Sequence, residues 1–297
     1  VKILITGGTG LIGSAFIERY DHDYTILTRR PESAARQLSD KHTYINRLSE
    51  LKNLNDFDAV INLAGEPIAE KRWTKKHKAR IEKSRWQTTD ELVALFEASS
   101  KPAATFISGS AVGYYGRQGD EKVTERDYIA HDEFSHELCK TWEDKAKQAE
   151  TKTRLCLLRT GIVLSPSGGA LNRMVTPFKL GLGGPIGHGQ QMMSWVHIED
   201  MIEMIQFLLE NENCQGVFNA TAPQPVSNEK FSKCLAQTLN RPCLFRVPAF
   251  TMRLAFGEMA DLLLTGQAVL PQKLQEQGFT FKYEHIEPCL KAIFPSR

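Results

Sequence analysis

The sequence predicts an α/β fold in which a doubly wound parallel sheet carries a smaller, mostly C-terminal α/β lobe. Three observations lead there. A short apolar run, Lys2-Ile-Leu-Ile-Thr6, stops at glycines and is followed by a segment of helical periodicity. Further β-rich runs alternate with helical stretches, and right-handed crossovers turn that alternation into a parallel sheet with helices on both faces. At 297 residues the chain is long for one small core and short for three, which fits one large unit with an appended lobe.

The elements follow in order. Strand 2–6 leads through glycines into helix 11–20, whose Leu11, Ile12, Ala15 and Phe16 fall at core spacing. Strands at 24–28, 43–45 (weak) and 59–63 each precede turn or helix material. Helix 75–98 leads to a fifth strand at 104–108, and helix 133–150 to a sixth at 154–164. Residues 1–164 therefore form the nucleotide-binding domain, to which later segments add sheet, and 165–297 the mainly substrate-side lobe. In that lobe 165–169 and 181–189 are Gly/Pro/Ser-rich loops, the second a candidate flap or a plain surface loop. An extended piece at 193–196, a helix at 199–209, a strand at 217–220, a helix after Val226 and helical segments at 250–264 and 269–277 complete the chain.

The turn Thr6 to Gly13 carries the chemistry most clearly. Gly7, Gly10 and Gly13 have G-x-x-G-x-x-G spacing between strand and helix. Missing Cβ atoms there let the turn close and the backbone approach a pyrophosphate, while the helix N-terminus offers free N–H groups to phosphate. The pattern is the dinucleotide-binding turn of a Rossmann fold, with Gly7, Thr9, Gly10, Leu11, Ile12 and Gly13 as cofactor-binding residues. After the second strand, where an acid would hold a ribose diol, the chain offers Thr28-Arg29-Arg30. Paired guanidiniums suit a 2′-phosphate, so NADP is expected over NAD; the alternative is a solvated arginine pair.

Composition excludes several classes. Lys and Arg number 37 against 35 Asp and Glu, a net charge of +2, too balanced for a nucleic-acid groove or an anionic membrane surface. The basic run 71–83 reads as one face of a solvated amphipathic helix. The six cysteines and eight histidines show no zinc-ligand spacing, so neither a metal nor a disulfide framework is expected. No apolar run reaches 18 residues, and a cytoplasmic location is the expectation.

Thr6-Gly-Gly-Thr-Gly-Leu-Ile-Gly13 and Asn62-Leu-Ala-Gly65 resemble the extended short-chain dehydrogenase/reductase superfamily. The likeness sharpens at Leu63-Ala-Gly-Glu-Pro-Ile-Ala69 with Arg72-Trp73, at Ser110-Ala-Val-Gly-Tyr-Tyr-Gly116, and at Arg159-Thr-Gly-Ile-Val163. It extends to Trp195-Val-His-Ile198 with Asp200, Gly257-Glu-Met-Ala260 and Leu270-Pro271. Together these are similar to the atypical, YfcH-type group of NAD(P)-dependent epimerase-family proteins. The resemblance implies that Leu63, Ala64, Gly65 and Arg159 bind cofactor, and that Trp195 and His197 lie on the substrate side with Tyr115. It also implies a homodimer packed through helices 75–98 and 133–150.

Superfamily catalysis uses a tyrosine acid/base, a lysine four residues later that lowers the phenol's pKa and holds the nicotinamide ribose, and a serine that polarises the substrate oxygen. Ser110 matches the serine. Counting back from Glu143 puts Ser135 and Cys139 at the tyrosine and lysine positions, and Lys140 is one residue out of register, about 100° around a helix. Tyr114 is the candidate substitute acid beside Ser110; as a bland alternative, Tyr114 and Tyr115 line the pocket. Arg85 either binds cofactor or an acidic substrate, or makes a helix-surface salt bridge. Two functions fit: an NADP-binding oxidoreductase or epimerase-like enzyme with an altered active site, acting on a sugar nucleotide or carbonyl compound, or a non-catalytic NADP-binding sensor or regulator.

Overall fold

A computed structural model describes residues 1–127 and 131–295. Its central sheet has seven strands: β1 (Lys2–Thr6), β2 (Asp23–Leu27), β3 (Thr43–Ile45), β4 (Ala59–Asn62), β5 (Thr105–Ala111), β6 (Arg154–Thr160) and β7 (Gly216–Ala220). They lie in the order β3-β2-β1-β4-β5-β6-β7 with every neighbour parallel. The order reverses between β1 and β4, which opens a crevice at the carboxyl ends of those strands.

Ile3, Leu4 and Ile5 are all fully buried, as a central strand covered on both faces requires. On one face Ile3 and Ile5 meet Phe16 of helix α1 (Leu11–Arg19) and Met201 and Ile205 of Ile198–Glu210. On the other, Leu4 and Val60 pack with Leu92 and Phe96 of Lys75–Glu97 and Ala146 of Phe134–Lys147. In chain order the helices used below are α1, α2 (Pro31–Gln37), α3 (Lys75–Glu97), α4 (Phe134–Lys147), α5 (Gly169–Lys179) and α6 (Ile198–Glu210). Thr74 caps α3 by accepting a hydrogen bond from the His77 N–H at 3.2 Å.

Three segments depart from the sequence expectation. The run 154–164 is two strands: Gly161 N donates to Ala220, still in register with β7, whereas Ile162 N donates to Ser194, and Ile162–Leu164 then pairs with Trp195–His197. The 250–264 segment is broken after Ala249–Phe256, because Gly257 at φ +60 ends the helix and a 3₁₀ turn precedes Asp261–Leu264. Residues 268–269 pair as a strand with Lys122–Val123, and Pro271 then precedes the short helix Gln272–Glu276.

The later part of the chain has its own apolar core, where Leu171 and Val175 of α5 meet Trp195, Phe231, Leu235, Ile286 and Leu290. Yet α6 and β7 belong to the central sheet and its cover, so the two halves of the sequence interleave. Loop 181–189 is pinned to 245–247: Gly187 N donates to Val247 O and Val247 N to Pro185 O, both at 2.8 Å. No described helix is long and apolar enough to cross a membrane.

Candidate active site

A cleft of about 1370 Å³ lies at the strand-order reversal. The turn after β1 contributes Gly7, Thr9 and Gly10, the segment after β2 contributes Thr28, Arg29 and Arg30, and the segment after β4 contributes Leu63, Ala64 and Gly65. Leu11, Ile12 and Gly13 form the first turn of α1 directly behind them. Gly7 has φ +72, and a Cβ on it would lie 2.5 Å from Leu63 O; one on Gly13 would lie 2.4 Å from Gly7 O. No other residue fits the turn as it stands. Among the described residues neither Arg29 nor Arg30 pairs with a carboxylate, so both guanidiniums are available to a phosphate. Arg47, Lys52 and Ser33 also line this end; sequence reasoning missed them, and their one signal was position, just past the second and third strands.

A polar spine behind the cleft holds the β4 loop. Thr6 Oγ1 donates to Asn62 Oδ1 at 2.7 Å and accepts from Ala64 N at 3.2 Å. Asn62 Nδ2 and Trp142 Nε1 both donate to Thr89 Oγ1 at 3.0 Å, tying β4 to α3 and α4. Asn62 and Thr89 are fully buried, so each bond stands in for lost water.

Ser110 sits at the end of β5, but its hydroxyl is donated to Glu143 Oε1 at 2.7 Å. Arg159, which the resemblance implies binds cofactor, is the other partner: Nε donates to Oε1 at 2.7 Å and Nη2 to Oε2 at 2.8 Å, with the Glu143 side chain fully buried and that of Arg159 4% exposed. Burial disfavours the Arg159 charge, yet the Glu143 carboxylate outweighs it and holds the guanidinium ionised. That guanidinium lies 3.4 Å from the Tyr114 ring centroid and 4.9 Å from that of Tyr115. Tyr115 donates to Asn219 Oδ1 at 2.8 Å, and burial pushes its phenol up to about 12 against the pull of Arg159.

At the two altered positions, Ser135 and Cys139 of α4 both face Gly113, whose added Cβ would lie 3.2 Å from Ser135 Cβ and 3.7 Å from Cys139 Sγ. Burial, helped by negative Glu143, pushes the Cys139 thiol up to about 12, so it supplies no proton acceptor at neutral pH. Lys140 pairs with Asp144 at 2.8 Å on the outer side of α4.

A second cavity of about 230 Å³ opens at Ser135 and Gly113. Trp73 and Phe134 line it, their ring centroids 4.9 Å apart, together with Thr265, Gln267 and the carboxylates of Asp132, Glu133, Glu258 and Asp261. Arg117 is its basic lining residue, bound to Glu133 at 2.7 Å. This cavity was missed in the sequence because 258–267 lies far from Ser135 along the chain. Trp195 and His197 line neither cavity. Trp195 is fully buried and donates Nε1 to Gln224 O at 3.0 Å. His197 caps α6 by accepting from Glu199 N at 3.2 Å, its ring 4.0 Å from Tyr283, and burial holds its pKa down at about 4.

Comparison with known proteins adds the following. Residues 3–220 match the NAD dependent epimerase/dehydratase family, and 247–293 match a domain of unknown function, DUF1731. The chain is 39% identical over 299 residues to the epimerase family protein SAR0825 of Staphylococcus aureus, covering 98% of each. It is 37% identical over 308 residues to the chloroplastic SDR39U1 homolog of Arabidopsis thaliana, covering 99% of this chain and 86% of that one. The crystal structure of human epimerase family protein SDR39U1 (isoform 2) with NADPH superposes with a TM-score of 0.90 at 30% identity, covering 99% of both chains.

Proposed function

This chain belongs to the NAD dependent epimerase/dehydratase family, and we propose that it is an NADP(H)-dependent oxidoreductase or epimerase-like enzyme with an altered proton relay. Support for NADP(H) comes from the uncommitted Arg29 and Arg30 in the cleft and from the NADPH bound to the human relative. Gly7, Gly10 and the α1 N-terminus would hold the pyrophosphate, and Leu63 to Gly65 would border the dinucleotide. When bound, NADP(H) supplies or accepts the hydride.

The observation that carries a catalytic reading is the second cavity at Ser135. Binding a dinucleotide alone needs no such space, whereas a substrate does. Three of the cavity's four carboxylates are paired, Glu133 with Arg117, Glu258 with Lys78 and Asp261 with Arg253, so its charge does not bar a nucleotide, and the substrate is a small carbonyl compound or a sugar nucleotide. Proton transfer would not use Cys139 or Tyr115, whose pKa values are both raised to about 12.

One observation favours the non-catalytic sensor: Ser110 donates its one hydroxyl hydrogen bond to Glu143 and has none for a substrate oxygen. The two readings separate on Ser135→Phe, which fills the cavity outside the cofactor cleft. As an enzyme, the protein transfers hydride from 4-deuterated NADPH to some member of a carbonyl panel, and the variant keeps NADPH affinity while losing that transfer. As a sensor, the native protein gives no deuterated product with any of them.

A further inference from the structure

Among the described residues the large apolar side chains left exposed, apart from Val1, fall at positions 180–182, 244–245 and 250–262. Single exposed apolar side chains are ordinary, but a cluster of them marks a surface that binds something. The pinning of 181–189 to 245–247 joins the first two stretches, and helix Ala249–Phe256, which buries none of its side chains, follows directly. Phe250 and Leu254 lie one turn apart on one face of it, 71% and 76% exposed. This helix stands at the mouth of the second cavity. Arg253 pairs with Asp261 at 3.3 Å, Arg72 donates to the Leu254 carbonyl, and Asp261 and Trp73, the neighbour of Arg72, both line the cavity. Leu262 belongs to both, lining the cavity and reaching solvent.

The cavity holds about 230 Å³, less than the roughly 300 Å³ at which sites for drug-sized ligands begin, so a larger substrate keeps part of itself outside. What it meets there is carbon: Leu262 at the rim, then Leu254 and Phe250. Glu258 and Asp261, the carboxylates on the same stretch as Leu262, are paired with Lys78 and Arg253, so they set no free charge against an apolar chain. A second copy of the protein or a bilayer would cover the face and leave the cavity without a role; a ligand with a polar head and an apolar tail uses both. We propose that the substrate is an amphiphile, its carbonyl head seated in the cavity beside Ser135 and its unbranched apolar tail lying over Leu262, Leu254 and Phe250. This rests on the catalytic reading above and narrows its two substrate classes to the carbonyl compound.

A chain-length series tests it. With full-length protein and NADPH, kcat/KM is measured for straight-chain aldehydes from butanal to decanal. Burying a methylene fully is worth about a factor of four and covering one side of it about a factor of two, so decanal should exceed butanal by roughly sixtyfold. In Phe250→Gln/Leu254→Gln, two exposed positions at which glutamine keeps helix propensity, the ratio should fall below about tenfold, with KM for decanal rising and kcat holding, as a loss of uniform binding requires. A flat series in the native protein, or the native ratio in the variant, overturns the proposal. So does a dimer, or binding to phosphatidylglycerol vesicles, that the variant loses while its chain-length ratio stays native. If no aldehyde is reduced, that failure belongs to the catalytic reading, and calorimetry with butan-1-ol and decan-1-ol decides the amphiphile site without turnover. Decanol bound at least roughly tenfold tighter than butanol, with the excess gone in the variant, supports the site; equal affinities or an unchanged excess refute it.

Discussion

Replacing Glu143 by Gln probes the centre of the molecule. The Glu143 side chain has no solvent exposure and that of Arg159 has 4%, and two hydrogen bonds of 2.7 and 2.8 Å join them while Ser110 adds a third at 2.7 Å. Removing one charge leaves the Arg159 guanidinium buried against Tyr114 without a counter-ion, which costs about 3–5 kcal/mol in comparable buried pairs. For a chain of 297 residues the unfolding entropy is about 0.6 kcal/mol per kelvin, so the melting temperature should fall by about 5–8 °C. Thermal unfolding followed by circular dichroism reads this directly. The double variant Glu143→Leu/Arg159→Met removes both charges and should recover at least half of the loss. A loss below about 1 kcal/mol in the single variant, typical of an exposed pair, would refute the reasoning, as would a double variant that falls as far as the sum of its parts.

His197 should make the fold acid-sensitive in a defined window. Its folded pKa is about 4 against an ordinary 6.5, so the unfolded chain binds the proton first and the His197 contribution, up to about 3 kcal/mol, is lost as pH falls from 6.5 towards 4. In urea titrations across that range His197→Gln should flatten the slope; a parallel slope would contradict the assignment. Gly13→Ala places a methyl 2.4 Å from Gly7 O and should weaken NADPH binding at least tenfold in a protein that still folds, whereas native affinity would show that the turn does not hold the pyrophosphate.

Much of this was legible in the sequence because it is local. The glycine turn, the strands at Lys2–Thr6, Thr43–Ile45 and Ala59–Asn62, and the long helix Lys75–Glu97 follow from patterns within a few residues of one another. What was not legible depends on partners far apart in the chain. Glu143 gave the count that located Ser135 and Cys139, yet nothing adjacent showed that it neutralises Arg159 and accepts the Ser110 hydrogen bond across 33 residues. The run 154–164 is interrupted only by Arg159-Thr160-Gly161, and the switch of partner from β7 to Trp195–His197 is what splits it there. The contact of the Arg85 guanidinium with Gly65, 20 residues earlier, has no signal in the residues beside either.

The measurement closest to the central claim is a parallel titration of nucleotide-stripped protein with NADPH and NADH by calorimetry, repeated on Arg29→Ala/Arg30→Ala. Two guanidiniums without carboxylate partners among the described residues predict NADPH binding at least tenfold tighter than NADH, with the preference gone in the double variant while NADH affinity stays the same. Equal affinity for the two nucleotides in the native protein, or binding of neither, would contradict the account.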